Sequence, residues 1–151
     1  MSAQEEVLFQ QTLMLTELDN QQHKKIKIFL DQDYEALHIA FSYNPQEVPK
    51  ELAIRVIEET LPQYDWEKNL QAMDFLPLQN LVTMSLAYEG EYLGCRHNKE
   101  TQQEILISEK ESSWGFIPQK VSSGQWEIQL NLHCVQSEVT VELVVKGVLS
   151  K

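Results

Sequence analysis

Apolar side chains alternate with polar ones over most of the chain. In residues 25–31, Ile26, Ile28 and Leu30 alternate with Lys25, Lys27 and Phe29. After Asp31, Gln32 and Asp33 the pattern resumes over 36–43, with Leu37, Ile39 and Phe41 set against His38, Ala40 and Ser42. A repeat of two with β-branched and aromatic residues is what a half-buried strand requires, and Asp side chains that bond their own backbone suit the turn between. The reading is a pair of strands over 25–43, preceded by a strand over 12–18. From Pro49 the repeat lengthens: Leu52, Ala53, Val56, Ile57 and Leu61 form one stripe, with Lys50, Glu51, Arg55, Glu58 and Glu59 opposite. That spacing predicts a helix, with Pro49 in its first turn and Pro62 ending it. Residues 63–77 are irregular or a second short helix; Tyr64, Trp66, Leu70 and Met73 are candidates to lie against the body of the domain, and the spacing does not settle which.

The second half returns to strands. They are expected over 80–88, 92–97, 104–108, 125–135 and 138–146, with a hairpin turn at Glu89–Gly90–Glu91 and a short extended piece at 114–118. The clearest strand sends Trp126, Ile128, Leu130, Leu132 and Cys134 inward and Glu127, Gln129, Asn131 and His133 outward; the last sends Val139, Val141, Leu143 and Val145 to one side. Short strands joined by turns rather than helices predict a mainly β fold. We expect an antiparallel β-sandwich of about 8 strands, jelly-roll or immunoglobulin-like, with a helical insertion near residues 48–74, as one domain over 1–151.

Charge narrows the function. Asp and Glu number 23 against 12 Lys and Arg, a net charge of −11. The acids are spread along the chain, with no run of like charges that would mark an interaction tail. Phosphate backbones are bound through Lys and Arg, so this balance argues against nucleic acid and against anionic membranes. The acidic N-terminus and the lack of any apolar run near the ~20 residues needed for a span argue for a soluble, cytoplasmic protein. In that setting Cys95 and Cys134 are expected as reduced thiols. Symmetry and oligomeric state are not readable from the pattern.

Candidate chemistry is sparse. His23, His38, His97 and His133 form no local metal motif, and there is no nucleophile elbow or Gly-rich phosphate loop. No catalytic, cofactor or metal-ligating residue is assigned, and an enzyme is not expected. Exposed aromatics on a sandwich are a platform for sugars. Trp114 and Trp126 are expected in the core, which leaves Trp66, with Tyr92 as a further candidate. The sharpest site is a polar cluster of Arg96, His97, Asn98 and His133 at one end of the sandwich, for a small anion or a partner's carboxylate. The bland alternative is that these histidines cap strand ends through the backbone.

Four segments carry a family resemblance. Asn80, Leu81, Thr83, Ser85 and Leu86, then Gly94, Arg96 and His97, then Gly115, Phe116, Ile117 and Pro118, then Gly124, Trp126 and His133 occur in an order that resembles the N-terminal β-sandwich domain of some metal-dependent phosphoesterases of the PHP (polymerase and histidinol phosphatase) superfamily. The match covers roughly residues 80–147, with looser support from 25–43 and no counterpart for 46–75. The family's catalytic domain, opening on H-x-H, would begin after about residue 147, and Lys151 is the last residue. The resemblance therefore implies a non-catalytic accessory or protein-interaction domain, with a PHP-type phosphoesterase as a possible partner. The alternative is a small-ligand or carbohydrate-binding module.

Overall fold

The computed structural model describes residues 4–63, 71–96 and 100–150. Eight strands form two four-stranded antiparallel sheets: β1 Glu5–Leu15, β2 His23–Leu30, β3 Ala36–Asn44, β4 Leu81–Tyr88, β5 Glu91–Arg96, β6 Gln102–Ser108, β7 Gly124–Cys134 and β8 Val139–Val148. One sheet runs β1-β8-β3-β6 and the other β2-β7-β4-β5. Apart from β4 and β5, successive strands thus cross between the sheets, which is the eight-stranded jelly roll of two Greek keys; the immunoglobulin strand order is different. The β-sandwich expectation holds, and the topology selects between its two forms.

The alternation within each strand builds the core. Trp126, Ile128, Leu130 and Leu132 of β7 are at most 1% exposed, as are Val139, Val141, Leu143 and Val145 of β8. They pack between the sheets against Ile39 and Phe41 of β3 and Met84 of β4. Cys134, expected with the inward set of β7, is only half-buried, because the register slips just before it.

Several elements differ from the sequence reading for physical reasons. Strands β2 and β3 are not a pair: the Asp31–Asp33 turn is an arch that carries the chain from one sheet to the other. Strand β1 starts earlier and stops earlier than expected, since Thr16 caps a 3₁₀ turn over Glu17–Asp19. The Thr16 hydroxyl accepts from the Leu18 amide (3.3 Å), and the Asp19 carboxylate accepts from the Thr16 amide (2.9 Å). Helix α1, Lys50–Thr60, forms as the pattern predicts, with Pro49 as its N-cap residue and only Ala53 and Ile57 fully buried. Tyr64, Trp66 and Leu70 lie outside the described residues; Met73 sits in a 3₁₀ turn, Ala72–Phe75, and is exposed.

Asn80 ties this insertion to the sandwich. Only 1% exposed, it donates through Nδ2 to the Pro45 carbonyl (3.1 Å) and to Ser137 Oγ (2.9 Å), and its Oδ1 accepts from the Gln136 amide (2.9 Å). One side chain therefore joins the end of β3, the start of β4 and the β7–β8 turn.

Candidate functional site

The outer face of the β2-β7-β4-β5 sheet carries a polar network across its strands. Asn131 of β7 lies cross-strand from both His23 of β2 and Thr83 of β4. Its Oδ1 accepts from Gln129 Nε2 (2.8 Å) and lies 3.0 Å from His23 Nδ1; its Nδ2 donates to Thr83 Oγ1 (3.4 Å) and reaches Cys95 Sγ of β5 (3.9 Å). A register shift opposite Leu81 and Val82 leaves His133 as the extra residue of β7. Such a bulge re-aims a side chain, and His133 Nε2 comes 2.8 Å from Thr83 Oγ1. The donors and acceptors balance when His23 carries its proton on Nδ1 and the Thr83 hydroxyl donates to His133.

Thr83 and Asn131 are 1% and 7% exposed, although both project from the outer face. The network satisfies the groups it buries. Burial pushes the Cys95 thiol above its ordinary pKa, partly offset by hydrogen bonds with Thr83 and Tyr92; burial raises Cys134 likewise. Both cysteines are free and are held as thiols rather than thiolates at neutral pH. A shallow depression of about 290 Å³ lies between His23 and His133, walled by Gln21, Gln22 and Leu132. Among the described residues no group of three or more His, Cys, Asp or Glu side chains is arranged to hold a metal ion.

The structure distributes the sequence-based cluster differently. His97 and Asn98 lie outside the described residues. Arg96 and His133 are not brought together: Arg96 is cross-strand from the core residue Met84 and projects from the opposite face of the sheet, its Nε donating to the Trp114 carbonyl (3.3 Å). His133 bonds a side-chain hydroxyl, that of Thr83. The sequence reading missed Thr83 as the partner of His133 and His23 as a partner of Asn131. Their outward phase in β2 and β4 was readable, but the pairing of both strands with β7 was not.

A second feature lies along the β5 edge. Gly94 and Gly115 meet back to back at φ values of +141° and +95°. A methyl on Gly94 would strike the Gly115 carbonyl oxygen, and one on Gly115 would sit 2.8 Å from the Cys95 carbonyl oxygen. Two glycines are therefore needed for residues 114–117 to lie against β5, where the Ile117 amide donates to the Leu93 carbonyl (2.8 Å) and Phe116 enters the core. This leaves Trp114 89% exposed, with Ile117 and Tyr92 at 59% and 64%. The expectation that Trp114 is a core residue is overturned: Phe116 takes the buried position, and the backbone of 114–115 stays outside β5.

No protein-family model matches the chain, and no characterised protein matches its sequence. Two solved structures have partial likeness. One is the dimeric latent PorU of Porphyromonas gingivalis, with 10% identity and a TM-score of 0.34 over 97% of this chain and 14% of that one. The other is the mavirus penton protein, with 8% identity and a TM-score of 0.29 over 97% of this chain and 100% of that one. The chain thus spans about one seventh of the PorU chain.

Proposed function

We propose that the chain is a non-catalytic accessory domain that docks a protein partner, with a PHP-type phosphoesterase as the first candidate. The observation that carries this reading is the exposure of Tyr92, Trp114 and Ile117 along the β5 edge, where the Gly94–Gly115 contact fixes residues 114–117. Large apolar side chains exposed on a fixed edge suit an interaction surface, and tryptophan is among the residues most enriched in those that dominate binding energy. The resembling motif fits a scaffold role, because Asn80, Gly94 and Gly115 each meet a packing requirement. The polar network fits the same role, since its groups bond one another and its cysteine stays protonated. Among the described residues no helix is long and apolar enough to cross a membrane. Two free thiols support a cytoplasmic setting.

The test is titration of the chain into a PHP-type phosphoesterase catalytic domain by calorimetry, with Trp114→Ala alongside. Saturable binding weakened about 30-fold by the substitution supports the reading. Binding that the substitution leaves unchanged, or no binding, counts against it. The same exposed aromatics favour a second reading, a carbohydrate-binding module, since Trp114 and Tyr92 are both largely exposed. Tryptophan fluorescence separates the two: Trp126 is buried, so a spectral shift on adding oligosaccharides that disappears in Trp114→Ala points to sugar.

A further inference from the structure

The outer faces of the two sheets use their polar side chains differently. On the β2-β7-β4-β5 sheet they bond one another through Asn131. On the β1-β8-β3-β6 sheet they do not. Among the described residues, Ser42 and Asn44 of β3, Gln102 of β6 and Glu142 of β8 make no side-chain hydrogen bond or ion pair within the protein, and Glu104 of β6 has only His38, at 3.9 Å. These groups surround a hollow whose cause is side-chain length. Cross-strand rows run Val144–Ala40–Glu104 and Glu142–Ser42–Gln102, with Thr140 beside Asn44 at the end. Short residues of β3 lie between longer ones of β8 and β6, so the middle of each of the two full rows is low. Two depressions of about 430 and 400 Å³ result, and they share Ser42, Gln102 and Glu142. Together they make a trough along β3 from Ala40 to Asn44, roughly 13 Å long at the rise of a strand.

We propose that this trough binds a neutral, hydroxyl-rich ligand, a short sugar chain. Its hydroxyls and amides both donate and accept, and its carboxylates accept only, so the matching ligand offers many O–H groups. The lining contains no Lys or Arg and does not suit a phosphate or a carboxylate. An added peptide strand finds no open backbone, because β3 is already paired with β6 on one side and β8 on the other. A polyamine would engage the two carboxylates and leave the hydroxyls and amides without a role. The aromatic residues at the trough, Phe41 and Tyr43, are each 1% exposed, so hydrogen bonds rather than ring stacking hold the sugar. Affinity is correspondingly modest, about 1 mM.

The trough lies on the sheet that does not contain β5, so it stands or falls independently of docking at the aromatic edge. The test is a titration of the full chain, labelled with nitrogen-15, with trisaccharides of glucose, mannose, galactose and N-acetylglucosamine. At least one should give saturable amide shifts within residues 40–44, 101–104 and 140–144. Ser42→Phe fills the trough and should weaken that binding at least about tenfold. Glu142→Gln keeps the shape but replaces a charged acceptor, and should weaken it about fivefold with the rest of the spectrum native, which keeps the test intact if Ser42→Phe does not fold. No saturable shift with any of the four sugars at ~20 mM would overturn the proposal, as would binding indifferent to both substitutions. Shifts confined to the Trp114 indole and β5 would also overturn it while leaving sugar binding at the edge in place. Spermidine that shifts these residues where the sugars do not would replace the sugar with a cation.

Discussion

Replacing Asn80 with alanine tests how the helical insertion is held. Its side chain makes three hydrogen bonds to three segments, and it is 1% exposed. Truncation leaves the Pro45 carbonyl, the Ser137 hydroxyl and the Gln136 amide without that partner. A net hydrogen bond contributes about 1 kcal/mol, and a buried group left unpaired costs about 1–3 kcal/mol. Water entering the vacated space would recover part, so the expected loss is about 3 kcal/mol. That is a large share of the roughly 5–15 kcal/mol that holds a domain together. Urea unfolding followed by tryptophan fluorescence should show a lower midpoint with an unchanged slope. Asn80→Asp keeps the acceptor but loses the donor and buries a carboxylate opposite the Pro45 carbonyl. Burial raises such a group's pKa, so its deficit against wild type should shrink as pH falls. A loss below about 1 kcal/mol for Asn80→Ala would refute the claim that this side chain joins the segments.

Gly94→Ala should lower stability by about 2 kcal/mol, read as a fall of roughly 4–8 °C in melting temperature, because it adds a backbone collision to an unfavourable φ. Gly90→Ala, at φ +82° with nothing within 4 Å, should lose only about 1 kcal/mol, and equal losses would remove the collision from the explanation. Iodoacetamide should modify Cys95 and Cys134 about tenfold more slowly in native protein than in urea near neutral pH, with the rate climbing as pH rises towards their elevated pKa values. Equal rates in both states would contradict the burial of the thiols. The Thr16 amide first, and then Lys24, hold the Asp19 carboxyl below the usual aspartate range, against a desolvation push upward. A depressed folded pKa stabilises above the unfolded value and is lost as pH falls through the folded one. Asp19→Asn should therefore flatten the acid limb of the stability curve, and an unchanged limb would show that the pair does not matter.

Residues whose environment comes from their own strand were legible in the sequence. The inward sets of β7 and β8 follow from strict alternation, and helix α1 follows from its longer repeat. What a strand meets in space was not legible. The arch at Asp31–Asp33 has the same turn chemistry as a hairpin, so only the sheet order reveals that β2 and β3 part there. Strand β1 was read short because the shift at Leu8 and the consecutive Gln10 and Gln11 break the alternation. Trp114 looked like core beside Phe116, and only the Gly94–Gly115 contact decides which of the two turns inward. The polar network needed the β2–β7 and β4–β7 registers, which no local pattern encodes. Asn80, Gly94 and Gly115 are motif positions in the sequence, and the fold supplies their physical reason.

The strand order also governs when the domain can form. Among the described strands only β4 and β5 are both consecutive in sequence and hydrogen-bonded to each other; the other pairings join distant parts of the chain, and β1 binds β8. Pairings of this kind are slow, because long loops must close before the contacts repay them. During synthesis, β1 is in place long before residues 139–148 leave the ribosome. Until they do, β1 lacks its β8 partner, and an unpaired strand of this kind is open to chaperones and to other nascent chains.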